Sequence, residues 1–249
     1  MMIITGRNDL YMIPKIIHYC WFGGKELPKF ALKCIESWRK YLPDYEIKEW
    51  NESNFNIDMY RYTREAYESG KFAFVSDVAR LYALYTEGGI YMDTDVEVLK
   101  SFDGFLGNIA FSGFEMENLI TTGILASEKG GTWVKENLDS YSGRCFVKND
   151  GSLDLTTNVA AITELMMKKG LRRDNTYQNF EGLVAIYPKD YFSPLEHSLL
   201  TITENTVCIH HYEGSWIGGF HPIKRSIKKI LGYRITNILL GIRDFFKKK

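Results

Sequence analysis

The feature that most constrains the fold is a helical pattern that runs directly into a glycine pair and a short apolar strand. Residues 60–87 predict a helix, because their apolar residues recur at steps of three and four: Val75, Val78, Ala79, Tyr82 and Tyr85. Gly88 and Gly89 would end that helix, since glycine readily adopts the left-handed C-cap conformation. Residues 90–92 then predict a buried strand.

A strand, a helix and a second strand precede this unit. Residues 15–21 predict a strand that ends in a glycine turn, and Pro28 begins a helix that Pro43 and Asp44 end. Residues 45–50 predict the second strand. This order favours a parallel sheet assembled from βαβ units, and therefore an α/β fold.

The middle of the chain is less regular. It predicts strands over residues 108–114 and 183–188, and helices over residues 132–140 and 159–169. The total of 249 residues is enough for one sizeable α/β domain.

Cysteine and hydropathy patterns indicate a cytoplasmic protein. No C-x-x-C pair or disulfide framework is present, so we expect four reduced thiols: Cys20, Cys34, Cys145 and Cys208. The first residues carry no long apolar run after a basic cluster, which argues against a secretory signal. No window of about 18 apolar residues exists, so we expect no membrane-spanning helix.

Two aspartates one residue apart, Asp93 and Asp95, follow the strand at residues 90–92. Carboxylates this close disfavour joint ionisation unless a cation or strong donors lie between them. Ligands of open α/β sheets bind beyond the carboxyl ends of the strands, so the pair lies where a site is expected. Carboxylate oxygens suit Mg²⁺ or Mn²⁺, which bridge to substrate phosphates. An isolated D-x-D is also common as a turn that faces solvent.

Three groups of residues elsewhere in the chain make the site more specific. Asp77 and Arg80 share one face of the predicted helix, either as part of a site or as a simple ion pair. Trp21 follows the first strand, where it belongs either to the ligand rim or to the core. The segment IHHYEGSW gathers side chains that could equally be buried and hydrogen-bonded: His210, His211, Glu213, Ser215 and Trp216. Their joint order is not easily produced by chance.

These motifs resemble glycosyltransferase family 32, the DXD-containing transferases of polysaccharide-synthesis clusters and of fungal mannosylation. The glucosylating toxin domains are more distant relatives. The resemblance rests on IPKIIHYCWFGG, SDVARLYALYTEGGIYMDTDVEVL and HHYEGSW, and residues 13–102 carry most of it. It implies a GT-A fold, which is a Rossmann-like α/β sandwich, and a nucleotide-sugar donor.

The resemblance also implies a metal site. Asp93 would meet the ribose and the metal, and Asp95 would ligate the metal directly. His210 or His211 would complete the ligand shell around Mn²⁺ or Mg²⁺.

Further donor contacts follow from the same resemblance. Trp21 would stack on the nucleobase, and Tyr91 would line the donor pocket. Asp77 and Arg80 would contact the donor sugar and its adjacent phosphate, and together with Asp93 and Asp95 would form the catalytic set.

Two predictions near the end of the domain complete the donor site. Ser215 and Trp216 would contact the diphosphate. Relatives carry a TGP-like turn where this chain reads LTTNVAAIT, so Asn158 would take over a sugar contact there.

The implied activity is a metal-dependent, retaining hexosyl transfer from a nucleotide sugar, with UDP-galactose or UDP-glucose favoured. The implied acceptor is a lipid-linked glycan in the biosynthesis of a polysaccharide such as a capsule.

A basic tail follows the predicted domain. Residues 222–249 carry nine Lys or Arg and one acidic residue, a net charge of +8 that leaves −8 for residues 1–221. Apolar residues at steps of three and four predict a basic amphipathic helix there. It would bind the anionic inner face of the cytoplasmic membrane as a peripheral anchor, or pack on the acidic domain. Nucleic acid is a poor partner, because an apolar stripe interrupts the basic residues.

Two other functions fit parts of the pattern. A haloacid-dehalogenase-type phosphatase also places Asp-x-Asp after an apolar strand, but it requires Thr or Val where this chain has Glu97. A catalytically silent sugar-nucleotide-binding protein would keep the fold and lose the chemistry. The presence of Asp77, Arg80, Asp93 and Asp95 argues against it.

Overall fold

In the computed structural model of the chain, residues 13–196 and 199–214 are described. Their centre is a seven-stranded mixed sheet. From edge to edge, its strands are β2 (Glu46–Trp50), β1 (Ile16–Cys20), β3 (Gly89–Met92), β6 (Ile124–Ser127), β5 (Ala110–Gly113), β8 (Val184–Tyr187) and β7 (Gln178–Phe180).

Helices and short ribbons surround the sheet. The helices are α1 (Lys29–Tyr41), α2 (Arg61–Glu68), α3 (Phe72–Glu87), α4 (Thr132–Asp139), α5 (Asn158–Lys168) and α6 (Lys189–Phe192). Two antiparallel ribbons pair β4 (Val96–Val98) with β11 (Cys208–His210), and β9 (Leu195–Glu196) with β10 (Leu199–Leu200).

The core consists of two layers, one on each face of the sheet. Successive side chains of a strand point to opposite faces, and β3 follows this rule. Tyr91 packs in the layer that contains α2, α3, α4 and α5, whereas Ile90 and Met92 pack in the layer that contains α1, β4 and β11. This arrangement confirms the predicted α/β sandwich.

The predicted elements agree with the structure except in two places. The helix predicted over residues 60–87 is interrupted at Gly70, whose φ of 65° separates α2 from α3. The sheet is only partly parallel. Strands β2, β1 and β3 run parallel, as β5 and β8 do, but β6 lies antiparallel between β3 and β5. The predicted parallel pairing is thus confirmed for β2, β1 and β3, whereas the antiparallel strands β6 and β7 were not predicted.

The glycine pair ends α3 as predicted and fixes the start of β3. Gly88 has a φ of 72° and Gly89 a φ of 108°, a range that disfavours other residues. A Cβ on Gly89 would lie 2.5 Å from the carbonyl oxygen of Ile16, so only glycine lets β3 approach β1 this closely.

A buried histidine holds this turn against the neighbouring strands. Trp50 Nε1 donates to His18 Nδ1 over 3.0 Å, which makes Nε2 the protonated nitrogen that donates to the Gly88 carbonyl over 2.7 Å. Burial lowers the pKa of His18, which favours this neutral form. The glycine turn before β3, the strand that leads to the D-x-D motif, is thus anchored to both β1 and β2.

The remaining predictions concern membrane spans, cysteines and the end of the chain. Among the described residues, no helix has the length and apolarity needed to cross a bilayer. The four cysteines are unpaired, and Cys145 is the one that is not fully buried. Ser215, Trp216 and the tail over 222–249 lie outside the described residues, and the division into domain and tail stays a prediction.

Candidate active site

The D-x-D motif lies in the tight turn between β3 and β4. The Asp93 amide donates to the Gly123 carbonyl over 2.9 Å, and the Val96 amide donates to the Asp93 carbonyl over 3.0 Å. The Glu213 amide donates to Asp95 Oδ2 over 2.7 Å. The backbone on both sides therefore fixes where the two carboxylates lie, at the carboxyl end of β3.

His210 joins the two aspartates through strand pairing. β11 pairs with β4 so that His210 lies opposite Val96. Its Nε2 is 3.4 Å from Asp95 Oδ1 and 3.7 Å from Asp93 Oδ2. One ligand atom from each of these three residues lies within 4.8 Å of the others. Two carboxylates and an imidazole form a donor set that fits Mn²⁺ or Mg²⁺ with water in the remaining positions.

His211 takes a different position. Its Nε2 lies 2.9 Å from Glu97 Oε2, and its ring meets the edge of Phe30 with centroids 5.0 Å apart. Of the two histidines predicted as alternative metal ligands, only His210 thus brings its imidazole to the aspartate side chains.

The charges around His210 and Asp95 favour their ionised forms. Burial by itself would lower the pKa of His210, but Asp95, Asp93 and Glu115 raise it to about 9. Burial would raise the pKa of Asp95, but the charge and hydrogen bond of His210 and the Glu213 amide outweigh burial and lower it. Without a bound cation, a protonated His210 would place a positive charge between the two carboxylates.

Arg80 connects the D-x-D motif to α3. Its NH1 donates to the Thr122 carbonyl over 2.7 Å and lies 3.3 Å from Asp93 Oδ1. Its NH2 donates to Asp77 Oδ1 over 3.1 Å. The guanidinium lies 4.5 Å from the centre of the Tyr91 ring. The structure therefore brings three of the predicted catalytic residues, Asp77, Arg80 and Asp93, together in one network.

Tyr91 contacts this network through Asp93. Its side chain is buried, and its hydroxyl donates to Asp93 Oδ1 over 2.8 Å. The structure thus gives Tyr91 a role in orienting Asp93, and any contact with a donor stays a prediction.

Asp77 is nearly enclosed. It is 7% exposed, and burial raises its pKa to about 7 even though Arg80 opposes that shift. A buried carboxylate with a strongly shifted pKa beside a cluster of charges is typical of functional sites.

Asn158 begins α5 close to the same network. Its Oδ1 accepts from the Thr122 hydroxyl over 2.9 Å and from the Val159 amide over 2.8 Å. Its Nδ2 is buried and has no hydrogen-bond partner within residues 13–196 and 199–214. The two contacts fix the orientation of the amide and leave Nδ2 as an oriented donor without a partner in the described part of the chain.

Trp21 lies where predicted, directly after β1. Its amide donates to the Trp50 carbonyl over 2.9 Å, and its indole nitrogen donates to the Lys25 carbonyl. The side chain is half-buried. This leaves part of the ring at the rim of the sheet, and stacking on a nucleobase stays a prediction.

The sequence interpretation missed the segment before β6. Thr122 and Gly123 contact Arg80 and Asp93 through their carbonyl oxygens. No local periodicity marks them, because they reach the site through antiparallel pairing of β6 with β3. Glu115 was also missed; it is half-buried, and burial raises its pKa while His210 opposes that shift.

Residues 28–112 match the protein family described as "Glycosyltransferase sugar-binding region containing DXD motif". This part of the chain is therefore similar to DXD-containing glycosyltransferases, which agrees with the resemblance that the motifs indicated. The matched region contains Asp77, Arg80, Asp93 and Asp95 and ends before His210.

Individual relatives match the chain only in part. Inositol phosphoceramide mannosyltransferase 3 of Schizosaccharomyces pombe is 30% identical over 127 residues, 49% of this chain and 35% of that protein. Uncharacterized glycosyltransferase L373 of Acanthamoeba polyphaga mimivirus is 30% identical over 121 residues, 44% of this chain and 47% of that protein. The chain thus spans less than half the length of either relative. The solved PaToxG glycosyltransferase has a TM-score of 0.48 at 16% identity, covering 64% of this chain and 69% of that one.

Proposed function

We propose that this protein is a metal-dependent glycosyltransferase that uses a nucleotide-sugar donor. The observation that carries the proposal is the convergence of Asp93, Asp95 and His210 beyond β3, next to the buried Arg80. The family match over residues 28–112 supports the same chemistry.

Cleavage of a sugar–diphosphate bond builds negative charge on the leaving phosphate. A divalent cation held by Asp93, Asp95 and His210 would offset that charge as a Lewis acid. Because Arg80 is buried and bound to Asp77, Asp93 and the Thr122 carbonyl, its charge is fixed before the donor arrives. A positive charge held in place in this way stabilises developing negative charge without reorganisation.

The donor favoured by the resemblance is UDP-galactose or UDP-glucose, transferred with retention of the anomeric configuration. Trp21 at the end of β1 would stack on the base. Asn158 Nδ2 would donate to a sugar hydroxyl, which satisfies a buried donor that otherwise has no partner within the described residues.

A lipid-linked glycan is the acceptor that we propose, with the protein at the inner face of the cytoplasmic membrane. The support is the net charge of +8 on residues 222–249, which would attract anionic lipid. Co-sedimentation with anionic vesicles should be strong for the full chain and weak for a chain that ends at Phe220. Equal, negligible binding of both would refute membrane attachment.

The test of the activity combines binding and turnover. Thermal unfolding of the full chain with UDP, GDP or CDP should show one nucleotide that stabilises only when Mn²⁺ is present. Asp95→Ala should abolish sugar transfer and donor hydrolysis while retaining the wild-type far-UV circular dichroism spectrum.

Two results would contradict the proposal. Wild-type turnover by Asp95→Ala in saturating Mn²⁺ would exclude the metal role. Binding of a nucleotide sugar with neither hydrolysis nor transfer would instead indicate a silent binding protein.

A further inference from the structure

Gly123 touches the candidate site from a position that no motif marks. It lies directly before β6, and its carbonyl accepts the amide of Asp93 over 2.9 Å. The carbonyl of the preceding Thr122 accepts from Arg80 NH1 over 2.7 Å. Residues 122–123 thus hold two members of the site through their backbone.

Gly123 also lies against the ring of His210, and only the absence of a side chain leaves room for that ring. A Cβ built on Gly123 would lie 2.6 Å from His210 Cε1, 2.7 Å from Nδ1 and 3.1 Å from Nε2. These distances are far inside the normal contact distance between carbon atoms of about 3.5 Å. The imidazole ring therefore lies flush against a backbone that carries no side chain.

The backbone of Gly123 does not itself require glycine. Its φ is not among the positive values that favour glycine, which occur at Gly88 and Gly89. Another residue could adopt this conformation, so the requirement for glycine comes from the ring of His210.

His210 has little room to move away. The ring of Tyr212 packs against it with centroids 4.1 Å apart, and His210 is 8% exposed. Its place in β11 is fixed by pairing with Val96 of β4. A side chain at position 123 would thus push the imidazole away from its present distances to Asp93 and Asp95.

We propose that Gly123 is a positioning residue that sets the distance between the His210 imidazole and the two D-x-D carboxylates. The absence of a side chain lets Nε2 reach the point where it can share a cation with Asp93 and Asp95. This inference rests on the proposed metal site and adds to it a residue that does not ligate.

The direct test measures Mn²⁺ affinity of the full chain by titration calorimetry and by the electron paramagnetic resonance signal of free Mn²⁺. Gly123→Ala should bind Mn²⁺ about 10- to 100-fold more weakly, the usual effect of disturbing a group that orients a ligand. Gly107→Ala is the matched control, because a Cβ there meets nothing within 4 Å.

A second control separates positioning from loss of stability. Gly113→Ala would place a Cβ 2.9 Å from the ring of Phe192, which belongs to the hydrophobic core. We expect it to lower stability and leave Mn²⁺ affinity unchanged. If Gly113→Ala weakens binding as much as Gly123→Ala does, the effect is general and the inference is wrong.

A double-mutant cycle tests whether Gly123 acts through His210. In a His210→Ala background, Gly123→Ala should cause no further loss of Mn²⁺ affinity. An equal loss with and without the imidazole would overturn the inference.

A readout without metal keeps this inference separate from the proposed function. The Cε1–Hε1 resonance of His210, assigned by its loss in His210→Ala, should shift in Gly123→Ala while those of His18 and His211 stay in place. If wild type binds no Mn²⁺, the proposed function fails, and this resonance still decides whether Gly123 positions His210. An unshifted resonance would refute the inference.

Discussion

The buried Asp77 should make the stability of the protein depend on pH in an unusual direction. Burial raises the pKa of this carboxyl from its ordinary 3.8 to about 7. Because the folded state then holds the proton more tightly than the unfolded chain, Asp77 stabilises the fold most at low pH. That stabilisation is fully present below the unfolded pKa and is lost as the pH rises through about 7.

The size of the effect follows from the same shift. One pKa unit corresponds to about 1.4 kcal/mol. Between pH 5 and pH 8, the contribution of Asp77 to the free energy of unfolding should fall by about 2–3 kcal/mol. Asp77→Asn removes the titrating group and should remove this part of the pH dependence.

Urea unfolding at pH 5, 6, 7 and 8 measures the effect directly. The difference in unfolding free energy between wild type and Asp77→Asn should change by the stated amount across this range. Asp139→Asn, which alters an exposed carboxylate on α4, serves as the control. Parallel curves for wild type and Asp77→Asn would refute the reasoning.

Two further substitutions test single hydrogen bonds. Tyr91→Phe removes the hydroxyl that donates to Asp93 over 2.8 Å. It should lower the free energy of unfolding in urea by about 1 kcal/mol and weaken Mn²⁺ binding in calorimetry. Unchanged Mn²⁺ affinity would contradict the role of Tyr91 in orienting Asp93. Trp38→Phe leaves the Val96 carbonyl without the indole donor that now lies 2.7 Å away. We expect it to lower the unfolding free energy by about 1–3 kcal/mol, and a loss near zero would show that water replaces the indole.

The parts of the fold that could be predicted are those determined by neighbouring residues. The helix over residues 72–87, the glycine pair and β3 follow from periodicity and from the conformational range of glycine, and all lie within one short stretch. Asp77 and Arg80 could be placed on one helical face for the same reason.

The parts that could not be predicted depend on pairing between distant segments. β6 is only four residues long and lies antiparallel between β3 and β5, a placement that no local pattern encodes. The contacts of Thr122 and Gly123 with the site follow from that placement, which is why neither residue was predicted.

The choice between His210 and His211 shows the same limit. Adjacent residues along extended chain face opposite sides, so only one of the two can reach the aspartates. Which one does so depends on the register of β11 against β4, where His210 lies opposite Val96. The family resemblance predicts that one histidine of the pair joins the site, but the sequence cannot determine this register.

Calorimetric titration of the full chain with Mn²⁺ tests the central claim most directly, in wild type, Asp95→Asn, His210→Ala and His211→Ala. Wild type and His211→Ala should bind one ion with similar affinity. Asp95→Asn and His210→Ala should each weaken binding by about tenfold or more. Wild-type affinity in both of those variants would contradict a metal site formed by Asp93, Asp95 and His210.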